Sequence, residues 1–154
     1  MIPLNLPAIE VKLSKEEGKV FIFDTFRKKR VVLTPEEWVR QHFAHYLITE
    51  LHYPPSLMKI ESGLRYNKLA KRSDIVVYNR EGLPLILVEC KSYRQKLDQK
   101  VLNQVSIYNQ TLKAPYLAVS NGLHHYFFEI DFDRPGFTSL YELPDYTKYS
   151  STLR

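Results

Sequence analysis

A chain of 154 residues, 44% hydrophobic and 25% charged, has the composition of one globular domain with a sizeable core, which excludes disordered and fibrous classes. Its net charge of +5 is compatible with a nucleic-acid partner without requiring one, and its single cysteine excludes an internal disulfide. No apolar stretch approaches the roughly 20 residues of a membrane span, and residues 1–6 lack the basic and apolar regions of a secretory signal, so a reducing, cytoplasmic setting with no membrane partner is expected.

In chain order, residues 8–13 are apolar-rich, 14–18 read as a turn, and 20–23 and 30–33 read as strands. Together 1–33 predict a small N-terminal antiparallel meander. The basic cluster at 27–30 reads as a solvated turn or, alternatively, as a phosphate-contacting patch. Thr34 suits an N-cap, Pro35 the first helical position, and Glu37 the third residue of a capping box. The helix they open runs to about 51, with Val39, Phe43, Leu47 and Leu51 as its core stripe and Trp38 packing on its flank. His52-Tyr53-Pro54-Pro55 stops it.

Extended segments follow at about 57–66, 73–79 and 84–91, with a turn at 79–82. The last is apolar on both faces, as a central strand should be. A second helix is predicted over 97–112, with Val101, Val105, Tyr108 and Leu112 on one face. Strands are then expected at 115–120 and 124–132, the latter pairing with 137–142 across the turn at 134–136. The Tyr-rich residues 143–154 predict a loose tail. The order implies one α/β (α+β) unit: a core over 34–132 with a central mixed sheet flanked by helices, and a C-terminal hairpin and tail over 133–154. The 97–112 helix crosses over between neighbouring strands.

Chemistry concentrates in Glu89-Cys90-Lys91, at the end of the most apolar strand. Strand alternation turns Glu89 and Lys91 to one face and Cys90 to the other. A carboxylate and an ammonium are costly to desolvate there, so the pair asks for a reason. Asp74, fifteen positions earlier in another apolar run, would join Glu89 if the two strands are neighbours. Mg2+ (or Mn2+) needs only one or two protein carboxylates besides water and a substrate phosphate, so Asp74 and Glu89 are candidate ligands and the Cys90 backbone carbonyl a third. Lys91 would orient or deprotonate the attacking water, or pair with the phosphate. Lys68, Lys71 and Arg72, just before Asp74, are placed to meet a DNA backbone. The Cys90 side chain itself reads as a small buried apolar group.

Asp74 followed by Glu89-x-Lys91, between two helices, resembles the PD-(D/E)xK nuclease superfamily with its restriction-endonuclease-like core. More closely, the chain is similar to the N-terminal nuclease domain of type I restriction enzyme R subunits. Residues 35–41, PEEWVRQ, look like that family's first-helix motif, residues 71–77 like its second-strand motif, and Gln104-x-x-x-Tyr108 like its second-helix motif. The resemblance spans about 34–130. It implies a Mg2+-dependent endonuclease acting on DNA, with Asp74 and Glu89 as metal ligands and Lys91 as the catalytic lysine. It further implies that Glu37 acts through a metal-bound water and that Gln104 and Tyr108 position the substrate or the site. By periodicity alone Glu36 competes with Glu37, and Glu37 has a plain reading as a capping residue. Ser73 departs from the proline or alanine common before the aspartate. No Gly-x-x-x-x-Gly-Lys-[Ser/Thr] loop is present, so an ATP-driven motor is not carried over. A homodimer and separate translocase or specificity subunits remain open as partners. The alternative reading is a non-catalytic DNA-binding or assembly module that kept the fold. The histidines form no convincing zinc set, since His42 and His45 lack a completing pair.

Overall fold

A computed structural model describes residues 1–62 and 73–147. The expected contacts of Lys68, Lys71 and Arg72, and the last residues of the 57–66 segment, lie outside the described residues, as do residues 148–154.

Among the described residues, nine strands form two sheets. β1 (Leu13–Glu16), β2 (Lys19–Asp24) and β3 (Lys29–Val32) make the antiparallel N-terminal sheet in the order β1-β2-β3. The turn expected at 14–18 is shorter than that: β1 continues through Glu16, and only Glu17 and Gly18, at φ 51 and 77, reverse the chain. All of β1 is exposed, so no hydrophobic alternation marked it as a strand.

α1 (Pro35–Thr49) begins as its sequence dictates. Thr34 is extended and its hydroxyl accepts from the Glu37 amide at 3.0 Å. Val39, Phe43 and Leu47 are fully buried. After a 3-10 turn at Pro55–Leu57 come β4 (Met58–Ser62), β5 (Ser73–Tyr78) and β6 (Pro84–Cys90). α2 (Gln99–Leu112) is capped by Asp98, which accepts from the Val101 amide at 3.0 Å, and this cap starts the helix two residues later than periodicity suggests. It ends at Lys113 in the left-handed region. The buried Asn109 amide then ties the helix end to both backbone groups of Ala114. β7 (Tyr116–Ser120), β8 (His125–Ile130) and β9 (Phe137–Leu140) complete a six-stranded sheet in the order β4-β5-β6-β7-β8-β9. Every pairing is antiparallel except β6–β7, which α2 connects as a crossover.

The sheet is covered on both faces. Ile75, Ile86, Val88 and Cys90 pack with Val39, Phe43 and Leu47 of α1. Val76, Leu87, Leu117 and Val119 pack with Val101, Val105 and Tyr108 of α2. The expected loose tail is corrected over 143–147. Leu143 is buried in the α1-side core, the Tyr146 amide donates to the Leu51 carbonyl at 2.8 Å, and the Tyr53 hydroxyl donates to the Pro144 carbonyl at 2.6 Å. Among the described residues no helix is long and apolar enough to cross a membrane.

Candidate active site

Two antiparallel strands bring the acids together. In the β5–β6 register Ile75 faces Val88, so the next step places Asp74 opposite Glu89. Both residues have the strand parity of Val76 and Leu87, though at the strand end Asp74 reaches Arg40 of α1. The two carboxyl groups lie within hydrogen-bonding reach of each other. Beyond the strand end, the Lys91 amide donates to the Ser120 carbonyl at 2.8 Å, and its ammonium stands 3.2 Å from Glu89 Oε1. Cys90 points the opposite way into the α1-side core; burial pushes its thiol well up, leaving an inert apolar group.

Asp74 is held from two directions. Its Oδ2 accepts from the Cys90 amide at 2.8 Å. Its Oδ1 accepts from Arg40 Nε at 3.1 Å and Nη2 at 2.7 Å. Arg40 Nη1 donates in turn to Glu37 Oε2, while Glu37 Oε1 accepts from Arg27 Nη2 and from Gln41 Nε2. Arg27 Nε donates to Asp24 at the end of β2. Charges thus alternate along Asp24, Arg27, Glu37, Arg40 and Asp74, all largely buried.

Burial, and then the neighbouring charge of Asp74, push Glu89 up to about 8, with Lys91 pulling the other way. Burial pulls the Lys91 ammonium down, but Glu89, Asp74 and Glu36 outweigh it and hold the group above the usual lysine value. Lys91 is therefore a cation at neutral pH. As it stands it can donate hydrogen bonds and offset negative charge, but it has no free pair with which to take a proton.

The structure brings Asp74, Glu89 and Lys91 into one patch and joins Glu37 to it through Arg40. It also turns Glu37 inward and leaves Glu36 about half exposed, which settles their orientation. Tyr108 is placed elsewhere. It packs in the α2-side core and lies near Tyr78, at the opposite end of β5 from Asp74. Gln104 is exposed on the second turn of α2. Two residues escaped the sequence reading. Arg27, assigned to a solvated cluster, turns inward, and Arg40 lay unremarked inside the first-helix motif. Both had a signal. Asp24 shares a strand face with buried Ile22 and so needs a cation. Arg40 follows Glu37 at i, i+3.

Two clefts, of about 540 Å³ between α2 and β8–β9 and about 760 Å³ beside β2 and α1, contain none of Asp74, Glu89 and Lys91.

Residues 35–144 match the model of the type I restriction enzyme R protein N terminus. The chain belongs to that family. Among solved structures it is similar to a fragment described as part of an HsdR subunit of a type I restriction enzyme from Vibrio vulnificus, at 17% identity and a TM-score of 0.53. The alignment covers 79% of this chain and 25% of that one, so the R-protein domain described here spans about a quarter of its structural relative. At this identity the likeness establishes the fold. Among curated proteins none matches the chain.

Proposed function

We propose that this R-protein N-terminal domain is a divalent-metal-dependent endonuclease that hydrolyses DNA phosphodiester bonds. The observation that carries this reading is the placement of Asp74 beside Glu89 across β5–β6, with the Lys91 ammonium on Glu89.

The residues fit Mg2+ or Mn2+. Asp74 and Glu89 put two carboxyl groups side by side in a mostly buried setting, with the Lys91 ammonium on Glu89, and a divalent cation needs little more from the protein. Burial first, and then the neighbouring Asp74 charge, raise Glu89, and a bound cation would offset both. Among the described residues no group of three or more His, Cys, Asp or Glu could hold a metal, and Asp74 with Glu89 supplies the one or two protein carboxylates that Mg2+ takes beside water and a substrate phosphate. Asp74 Oδ2, with one lone pair taken by the Cys90 amide, and Glu89 would hold the ion. When bound, the ion would polarise the scissile phosphate and lower the pKa of a coordinated water.

The chain's own groups supply the rest. Glu89 must give up its proton to act as a ligand. Lys91, fixed as an ammonium, orients the attacking water and offsets charge developing on the phosphate oxygens. The proposed substrate is DNA, and the proposed partners are subunits supplying DNA translocation and sequence recognition. The test is nicking of plasmid DNA in Mn2+. The wild type should cleave, and Lys91→Ala should lose about a hundredfold or more. Equal rates would remove Lys91 from the mechanism.

One observation favours a second reading, a DNA-binding module without catalysis: Arg40 already neutralises Asp74 Oδ1. It predicts salt-sensitive DNA binding with no Mn2+ binding that Asp74→Ala abolishes.

A further inference from the structure

The N-terminal sheet touches the candidate site through one continuous route. Asp24 closes β2 and accepts from the backbone amides of Phe26 and Arg27 at 2.8 and 3.1 Å, so the loop after β2 is wound around its carboxylate. That loop aims Arg27, whose guanidinium joins Asp24 to Glu37. Glu37 is fixed a second time by Gln41, one turn further along α1. It holds one arm of Arg40, and the other arm forks onto Asp74 Oδ1. The fork takes both accepting directions of Oδ1, and the Cys90 amide takes one of Oδ2.

We infer that Arg40 and Arg27 are positioning residues for the Asp74–Glu89 site, and that the N-terminal three-stranded sheet is through them a working part of that site. This rests on the metal-dependent reading above. Arginine is required at both places because each guanidinium joins at least two carboxylates at once. A lysine ammonium keeps the charge but cannot reproduce the planar fork. The ion pairs are arranged in series. Arg27 acts on Asp74 by fixing Glu37, which fixes Arg40. Residues that orient a metal ligand in this way typically contribute 10- to 100-fold to metal affinity.

The test is calorimetric titration of Mn2+ into the wild type, Arg27→Lys, Arg40→Lys and the double variant, with folding of each checked by circular dichroism and thermal melting. Arg30→Lys, at an exposed pair with Glu16 outside the chain of contacts, is the control and should bind Mn2+ like the wild type. Arg40→Lys should weaken Mn2+ binding about tenfold, and Arg27→Lys by less but measurably. Because the contacts lie in series, the double variant should bind no more weakly than Arg40→Lys by more than about twofold. A purely structural role would lower melting temperature while leaving the affinity of the folded variants unchanged, and that result overturns the inference. Additive losses overturn the series arrangement. If the wild type itself binds no Mn2+, the metal-dependent reading fails and this inference fails with it. Wild-type binding with unchanged variants removes only the inference. Should Arg40→Lys not fold, Arg27→Lys against the control decides.

Discussion

Asp24 and Glu89 are both carboxylates at the end of a strand, both largely buried, and each is paired with a basic residue two or three positions along the chain. They behave in opposite ways. Burial acts to raise Asp24, but the Arg27 guanidinium and the amides of Arg27 and Phe26 outweigh it, and the group is held below the usual carboxylate value. Glu89 faces a single ammonium at 3.2 Å and a second carboxylate beside it, and it is pushed up to about 8. Burial presses on both, and the difference lies in the donors aimed at Asp24 and in the second carboxylate beside Glu89. A satisfied buried acid is a structural anchor. An unsatisfied one is poised to exchange its proton for another cation, and this separates the framework of the site from its reactive part.

The comparison breaks most sharply if the anchored side loses its cation. Arg40→Met should leave Glu37 and Asp74 buried without their shared partner and cost about 3–5 kcal/mol in urea unfolding, because a buried charge is stranded. A loss under 1 kcal/mol would mean the alternating chain carries little of the fold.

On the poised side, the sign of the pH dependence is the test. The folded-state value of Glu89 lies above its ordinary value of 4.5, so protonation favours the folded chain. Its contribution is complete below about pH 4.5 and is lost as pH rises through about 8, on the order of a few kcal/mol in the metal-free protein. Glu89→Gln should flatten the profile of melting temperature against pH across that window. Mn2+ affinity of the wild type should climb by up to about tenfold per pH unit below 8, as ion and proton compete for Glu89. A pH-independent affinity between 6 and 8 would contradict the elevated value.

The smallest effect is expected where neither condition holds. Arg30 pairs with Glu16 at 2.7 Å with both side chains about half exposed. Arg30→Ala should change unfolding free energy by about 1 kcal/mol or less.

Much of the fold was legible because local rules and tertiary packing agree. The Thr34 cap, the Val39-Phe43-Leu47 stripe and the doubly apolar run ending at Cys90 each encode their element within a few residues. The candidate site was legible to the same degree, since strand parity alone sends Glu89 and Lys91 one way and Cys90 the other. Whether Asp74 would face Glu89 depended on a β5–β6 register that no local pattern specifies. The readings that shifted were those depending on distant partners. Tyr108 lies on the helix face foreseen for it, but that face covers apolar strands and meets Tyr78, away from the acids.

By itself, then, the sequence determined which residues alternate, which helices begin where, and which acids and lysine could share a strand end, because these follow from backbone periodicity and capping. Only the tertiary structure decided that Arg27 turns inward from a basic cluster, that Arg40 bridges Glu37 to Asp74, and that the N-terminal sheet reaches the site. Those contacts join residues up to 34 positions apart. A buried charge selects its partner by where the fold places it; local spacing carries the i, i+3 pairs Asp24–Arg27 and Glu37–Arg40 but not the bond from Arg40 to Asp74.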